Sequence, residues 1–352
     1  MMTPRENLLN LYRKKGYAKA PCHFDLCPSL VETYHRETGS DLPYSEFFDF
    51  PEIFVRDLLV KSENHAGYYP SLAQGTQIDN WGVAREPGSE DCAHMTYMRH
   101  PMEAFSRSDE FMEYPYPDYL HARESHIRED VRAIQKKGYA AKANMGCTLW
   151  EIGWYLRGME QLMSDMVLEP DLARLHLDRI TEISCHRAMV FTKAGVDIIL
   201  TGDDVGMQHS LMMSEDMYCE WIKPRFTKII SSARKINPDV IIEYHSCGFV
   251  KPLIPHFIQA GIDVLNPVQP ECMDFGELFG LYGDRISFKG TIGTQSTMPF
   301  GTPDDVAAAV IRNLDIAGEK GGLFCAPTHM LEPEVPWENI MAYARTVGSY
   351  KK

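Results

Sequence analysis

The sequence has no long apolar run, no clustered positive charge and no repetition. No stretch of its 352 residues approaches the ~20 consecutive apolar positions that a membrane-crossing helix needs. The opening Met1-Met2-Thr3-Pro4-Arg5-Glu6-Asn7 lacks the apolar core of a secretory signal. Lysine and arginine number 35 against 49 acidic residues, a formal net charge of −14. The two lysine pairs, Lys136-Lys137 and Lys351-Lys352, read as solvated surface. Nucleic acid is therefore not an expected partner, because neutralising phosphates takes a basic footprint. An anionic membrane surface is not one either. The nine cysteines, Cys92 among them, are odd in number and irregularly spaced, so no disulfide framework is read. They are expected to be reduced thiols in a cytoplasmic protein.

What remains is the composition of a globular enzyme, 44% hydrophobic and 24% charged. From residue 196 onward, strand and helix signals alternate. Strands are expected at Val196–Leu200, Val240–Cys247, Asp263–Asn266, Ile286–Gly290 and Leu323–Cys325. Helices are expected between and after them. Ser214 caps one that Pro224 bends or divides, and Thr302 with Pro303 opens another. Upstream, Tyr139–Asn144 and a stretch near Lys19–Phe24 add two more strands. Repeated βα units imply a parallel sheet with right-handed crossovers. The count favours a (β/α)8 TIM barrel over an open doubly wound sheet. The chain is read as a single α/β barrel domain over 1–352. Residues 131–352 supply the regular units. Residues 1–130 form an irregular part whose Pro-, Gly- and aromatic-rich insertions, about 40–120, cap the C-terminal face.

Barrel active sites gather at the C-terminal ends of strands. Three soft ligands stand there. His245 and Cys247 are two apart at the end of an apolar run, and Cys325 ends another. Alternate strand residues share a face. Three protein ligands with one open position is the pattern of a catalytic zinc rather than a structural one. Read alone, His-x-Cys is more often a chance pair. Glu271 is a possible fourth ligand, against a plain reading as a solvated loop carboxylate. Glu243 is either a partner that orients His245 or part of a polar layer inside the barrel. Asp203 and Asp204, Gln269 and Gln295 also fall at strand ends and are candidate substrate-binding residues, although Asp is equally common as a cap. His329 is a candidate proton donor or acceptor, against the commoner structural histidine.

Asp203-Asp204-Val205-Gly206, His245-Ser246-Cys247-Gly248, Asn266-Pro267-Val268-Gln269-Pro270 and Gly290-Thr291-Ile292-Gly293-Thr294-Gln295 occur in this order, with Trp154–Glu160 upstream. Together they resemble the uroporphyrinogen decarboxylase superfamily, over roughly residues 130–350. His-x-Cys-Gly with the late Cys325 narrows the resemblance to the zinc-containing methylcobalamin:coenzyme M methyltransferase branch. The resemblance implies a (β/α)8 barrel with His245, Cys247 and Cys325 as zinc ligands and as the catalytic set. It also implies a methylated cobalamin as co-substrate, carried on a separate corrinoid protein; the chain has no Asp-x-His-x-x-Gly cobalamin signature of its own. The small-molecule methyl acceptor is left open between coenzyme M, another thiol and tetrahydrofolate. The true decarboxylases grip carboxylates with an arginine-rich N-terminal segment, whereas Pro21–Ser29 here contains no arginine. A decarboxylase acting through Arg157, and a non-catalytic corrinoid- or tetrapyrrole-binding protein, are the alternative readings.

Overall fold

The computed structural model describes residues 2–88 and 95–350. Cys92 and the Lys351-Lys352 pair lie outside the described residues. Strand β1 (Glu52–Phe54) precedes a small antiparallel meander of β2 (Gln77–Ile78), β3 (Ala84–Glu86) and β4 (Tyr97–Arg99). Then come β5 (Ala140–Asn144), β6 (Ile198–Gly202), β7 (Ile241–His245), β8 (Val264–Asn266), β9 (Ser287–Lys289) and β10 (Leu323–Phe324). The seven strands β1 and β5 to β10 form one parallel sheet in chain order, with helices in the crossovers.

That sheet curls on itself. Glu52 on β1 and Lys289 on β9 stand five places apart in the sheet order. A flat sheet would separate them by about 24 Å. Instead Lys289 Nζ lies 2.6 Å from Glu52 Oε1. Where an eighth strand was expected near Lys19–Phe24, the chain is irregular, and only an isolated bridge, Leu26 to Leu331, pairs there. Pro21 removes one ladder donor. The segment still fills the gap between β10 and β1, because the His23 ring packs on both Phe50 and Phe324. The architecture is thus the expected barrel with one irregular stave.

Period-2 alternation sorts the strand residues. On β7, Ile242 and Tyr244 face the helices, Tyr244 against Phe226 and Phe257. Ile241 faces the barrel interior with Ala140, Ile198, Val264 and Phe324. Glu243 shares that inward face. It meets Lys142 of β5 at 2.9 Å, and Lys142 in turn meets Glu52 at 2.9 Å. Glu243 therefore belongs to a polar layer across the barrel and does not orient His245.

The caps follow the sequence. Ser214 accepts from Met217 N at 3.1 Å, and Thr302 with Asp305 closes a capping box. A π-turn over Tyr218–Ile222 comes just before Pro224, which opens the helix Lys223–Arg234. The meander covers part of the barrel mouth. Asp79, Trp81 and Arg85 line a cavity of about 480 Å³ together with Asp57 beyond β1, and Asn144 and Cys147 at the end of β5.

Candidate metal centre at the barrel mouth

β6 and β7 pair in register with Gly202 opposite His245. A side chain on Gly202 would run into the His245 backbone, so the two strands close up here. Two residues beyond each register partner stand Asp204 and Cys247. The Asp204 carboxylate accepts from Cys247 N at 2.7 Å and stitches the two turns together. Gly248 then leaves with φ 83° against the Gly206–Met207 backbone, a turn only glycine makes without strain. Gln269 Oε1 holds the same turn through Gly248 N at 3.2 Å.

These turns aim three donors at one point. Cys247 Sγ is 3.4 Å from His245 Nε2, and that nitrogen is 3.9 Å from Asp204 Oδ1. One donor atom each of Asp204, His245 and Cys247 lies within 4.8 Å of the others. With Zn–S at ~2.3 Å and Zn–N at ~2.0 Å, tetrahedral ligands stand about 3.6 Å apart, so the spacing suits one shared ion. The imidazole is set for this role. Its Nδ1 lies 2.6 Å from Asn266 Oδ1, while Asn266 Nδ2 donates to Lys289 O at 3.3 Å. The amide is thereby oriented so that Nδ1 carries the proton and Nε2 keeps its lone pair toward Cys247.

The charge balance also suits a cation. Burial, then Asp204 and Glu151, push the Cys247 thiol well above its ordinary pKa. Burial and then Asp204 raise the Glu151 carboxyl. Glu151 is tied in by Tyr155 Oη at 2.8 Å and by Asp204 N at 3.2 Å. A soft divalent ion would reverse the thiol's preference, since a coordinated thiol is deprotonated.

The other residues singled out in the sequence fall as follows. Cys325 is not brought to this site. Phe324 and Ala326 occupy the barrel interior, so Cys325 points the other way, into the layer between sheet and helices. There its sulfur lies 3.8 Å from Thr291 Oγ1, which is bound by Asn313 of the helix Pro303–Ala317. Glu271 is also absent from the donor cluster; its Oε1 accepts from Ser296 at 2.7 Å. Asp203 is fully buried and caps a helix start through Leu149 N and Glu151 N, with its pKa pushed up to about 8 by burial and then Glu151. It touches no open space, whereas Gln269 and Gln295 do. With Cys247, Thr328 and His329 they line a cavity of about 270 Å³ beside the donors. Gln295 also pairs with Gln208 across the mouth at 3.1 Å. Arg157 is spent on Asp165 and on the carbonyls of Met102 and Glu103, and is 2% exposed.

Three contributors were not assigned these roles from sequence. In the sequence Asp204 reads as a substrate contact, Asn266 as a strand end within a motif, and Glu151 carries no signal. Their roles depend on register and turn geometry. His329, read as a proton carrier, has its ring 6.3 Å from that of His245. Burial, then His245, lower its pKa, which counts against it as a proton acceptor.

A model of the family described as Uroporphyrinogen decarboxylase (URO-D) matches residues 106–350. The chain belongs to the uroporphyrinogen decarboxylase family. No curated protein matches it. Among solved structures, it is similar to a methyltransferase from Methanosarcina mazei, with 20% sequence identity and a TM-score of 0.69. That alignment covers 99% of this chain and 98% of the other. At that identity the likeness establishes the fold. A psychrophilic family 10 endo-β-1,4-xylanase aligns with a TM-score of 0.41 and 11% identity, over 64% of this chain and 80% of that one, too distant to inform the site.

Proposed function

We propose that this member of the family is a zinc-dependent methyltransferase. It moves a methyl group from a methylated corrinoid to a small-molecule acceptor, a thiol or tetrahydrofolate. The observation that carries the reading is the donor set of His245, Cys247 and Asp204, with the His245 tautomer fixed by Asn266. His245 and Cys247 fit zinc as imidazole and thiolate ligands, and Asp204 as a carboxylate ligand. When bound, the ion supplies the positive charge that holds an acceptor thiol as thiolate near neutral pH.

The residues of the chain do the rest. Asn266 keeps the His245 proton on Nδ1, so the facing nitrogen stays bare. Asp204 and Gln269 fix the Cys247–Gly248 turn and hence the direction of the sulfur. His329 stands in the same cavity, where its ring can hydrogen-bond the acceptor. The 270 Å³ cavity has room for a small thiol. A corrinoid macrocycle is far larger, so on this reading the methyl group is presented at the mouth, by methylcobalamin itself or by a docked corrinoid protein. Donor and acceptor then stand in line, so that the acceptor sulfur would bond the methyl carbon as the carbon–cobalt bond breaks and its electron pair leaves with the corrinoid. A decarboxylase that holds its carboxylate through Arg157 is not favoured, because Arg157 is buried and committed to Asp165.

The test is zinc quantification alongside an assay of methylcobalamin with a panel of thiols and tetrahydrofolate. About one zinc per chain is expected, with turnover on at least one acceptor. Cys247→Ala should lose both. Full transfer by zinc-free protein, or a zinc-replete chain inactive on every acceptor, sinks the reading.

A further inference from the structure

The protein is acidic overall, yet one concavity in it is basic. A cavity of about 530 Å³ opens at the end of the barrel opposite His245. Its wall includes Val240 and Ile241, where β7 begins, and Asp263, just before β8. Five cations from three separate segments line it. Arg13, Lys14 and Lys15 follow the first helix, Arg234 ends the helix before β7, and Arg285 precedes β9. The carboxylates in the lining are Asp239 and Asp263. Five against two leaves an excess of three positive charges on a chain of net charge −14.

Two of the cations build the wall. Arg234 binds Asp263 at 2.7 Å and the carbonyls of Pro238 and Gly261, and Arg13 reaches Asp239 O at 3.2 Å. The others present charge. Lys15 and Arg285 are exposed at the rim. Lys14 is half-buried; its φ of 55° is the left-handed turn that ends the first helix, where Lys14 N donates to Leu11 O and Lys15 N to Asn10 O. Burial lowers its pKa, against the opposing pull of Asp263 and Asp284. Cations after a helix commonly offset the negative end of its dipole. That explains why the first three cluster together. Arg234, in the last turn of its helix, and Arg285, just past the helix Phe275–Tyr282, obey the same rule one by one; what the rule does not set is that three such helix ends open onto one hollow.

We propose that this cavity binds a compound carrying two or more linked phosphate groups, at a site independent of the metal-donor cluster. One sign of charge lining a concave, low-dielectric surface focuses potential and concentrates a counter-ion. Charge spread over several segments matches a chain of phosphates better than a single carboxylate, and guanidinium groups suit phosphate oxygens. Free inorganic oligophosphate and a nucleoside polyphosphate share this chemistry.

Calorimetric titration of the full chain with pyrophosphate, tripolyphosphate and ATP, against sulfate at matched ionic strength, tests the assignment. Saturable binding is expected for the oligophosphates, tighter for tripolyphosphate than for pyrophosphate. ATP binding tighter than tripolyphosphate identifies a nucleotide ligand, and equal or weaker binding an inorganic one. The double variant Lys15→Glu/Arg285→Glu changes exposed residues only, and should bind at least ~10-fold more weakly with an unaltered melting temperature. Cys247→Ala should bind as the parent does, which separates this site from chelation at the barrel mouth. Heats no larger than those of sulfate, unchanged affinity in the double variant, or loss of binding in Cys247→Ala would overturn it.

Discussion

Glu243 and His245 stand two residues apart on the same inward face of β7 and end in different surroundings. The Glu243 side chain is 2% exposed and meets Lys142 through both carboxylate oxygens. The His245 side chain is 30% exposed, with one nitrogen anchored by Asn266 and the other facing Cys247 and Asp204. The lower layer is a sealed set of opposite charges, in which Lys142 and Lys289 outweigh burial and hold Glu52 below the usual carboxylate range. The upper layer gathers acids and a thiol and leaves its positive charge to come from outside. Polar residues in a barrel interior therefore say little by type alone. What separates scaffold from site is whether the partners are already inside the chain.

The comparison is sharpest where a partner is removed. Lys142→Met leaves Glu52 and Glu243 with Lys289 as their one remaining shared lysine, 2.6 and 3.4 Å away. A loss of about 3–5 kcal/mol is expected, read as a lowered urea midpoint. The triple replacement Lys142→Met/Glu243→Leu/Tyr12→Phe removes that buried carboxylate and the hydroxyl facing it at 3.5 Å, and should recover part of the loss. A Lys142→Met chain as stable as the parent would mean that water or relaxation solvates the layer and that it is not sealed.

At the upper layer, removing an anchor should cost function rather than stability. Asn266→Leu keeps the branched outline of the side chain but removes the acceptor that fixes the His245 tautomer. Zinc affinity, measured by chelator competition, should fall roughly 10- to 100-fold, the usual cost of losing a ligand's orienting partner. An unchanged affinity would show that the turn alone orients the ring.

His23 joins the lower layer, 4.0 Å from Glu52. Burial, then Lys289, lower its pKa from 6.5 to about 4. A depressed histidine stays neutral in the fold while the unfolded chain takes up the proton. Its contribution is present above pH 6.5 and is lost as the pH falls from there toward 4. At pH 5 the loss is roughly 1–2 kcal/mol. His23→Gln should flatten the fall of melting temperature between pH 7.5 and 5, and parallel curves for the two proteins would remove His23 from this account.

The barrel was legible in the sequence because its signals are local: apolar β-branched runs, caps at Ser214 and Thr302, and helices of the right spacing. The stave near His23 was less so, since it is held by side-chain packing and one bridge rather than by a ladder. His245 and Cys247 were legible as a pair because they lie two residues apart. Asp204 as a third donor was not, because its approach depends on Gly202 pairing opposite His245, and no single segment encodes register.

Cys325 carries the same lesson in reverse, and the smallest effect. A strand end was read correctly at β10, but alternation has two phases, and a two-residue strand gives no pattern to choose between them. Phe324 takes the inward phase, where it packs beneath Lys289, so Cys325 must take the outward one. Cys325→Ala should therefore leave zinc content and methyl transfer at parental levels and cost only about 1 kcal/mol for the lost sulfur contacts. The contrast with Cys247→Ala isolates the face of the strand as the deciding variable, because both changes delete one thiol near the top of one barrel. Loss of zinc in Cys325→Ala would mean that β10 can turn its other face to the mouth.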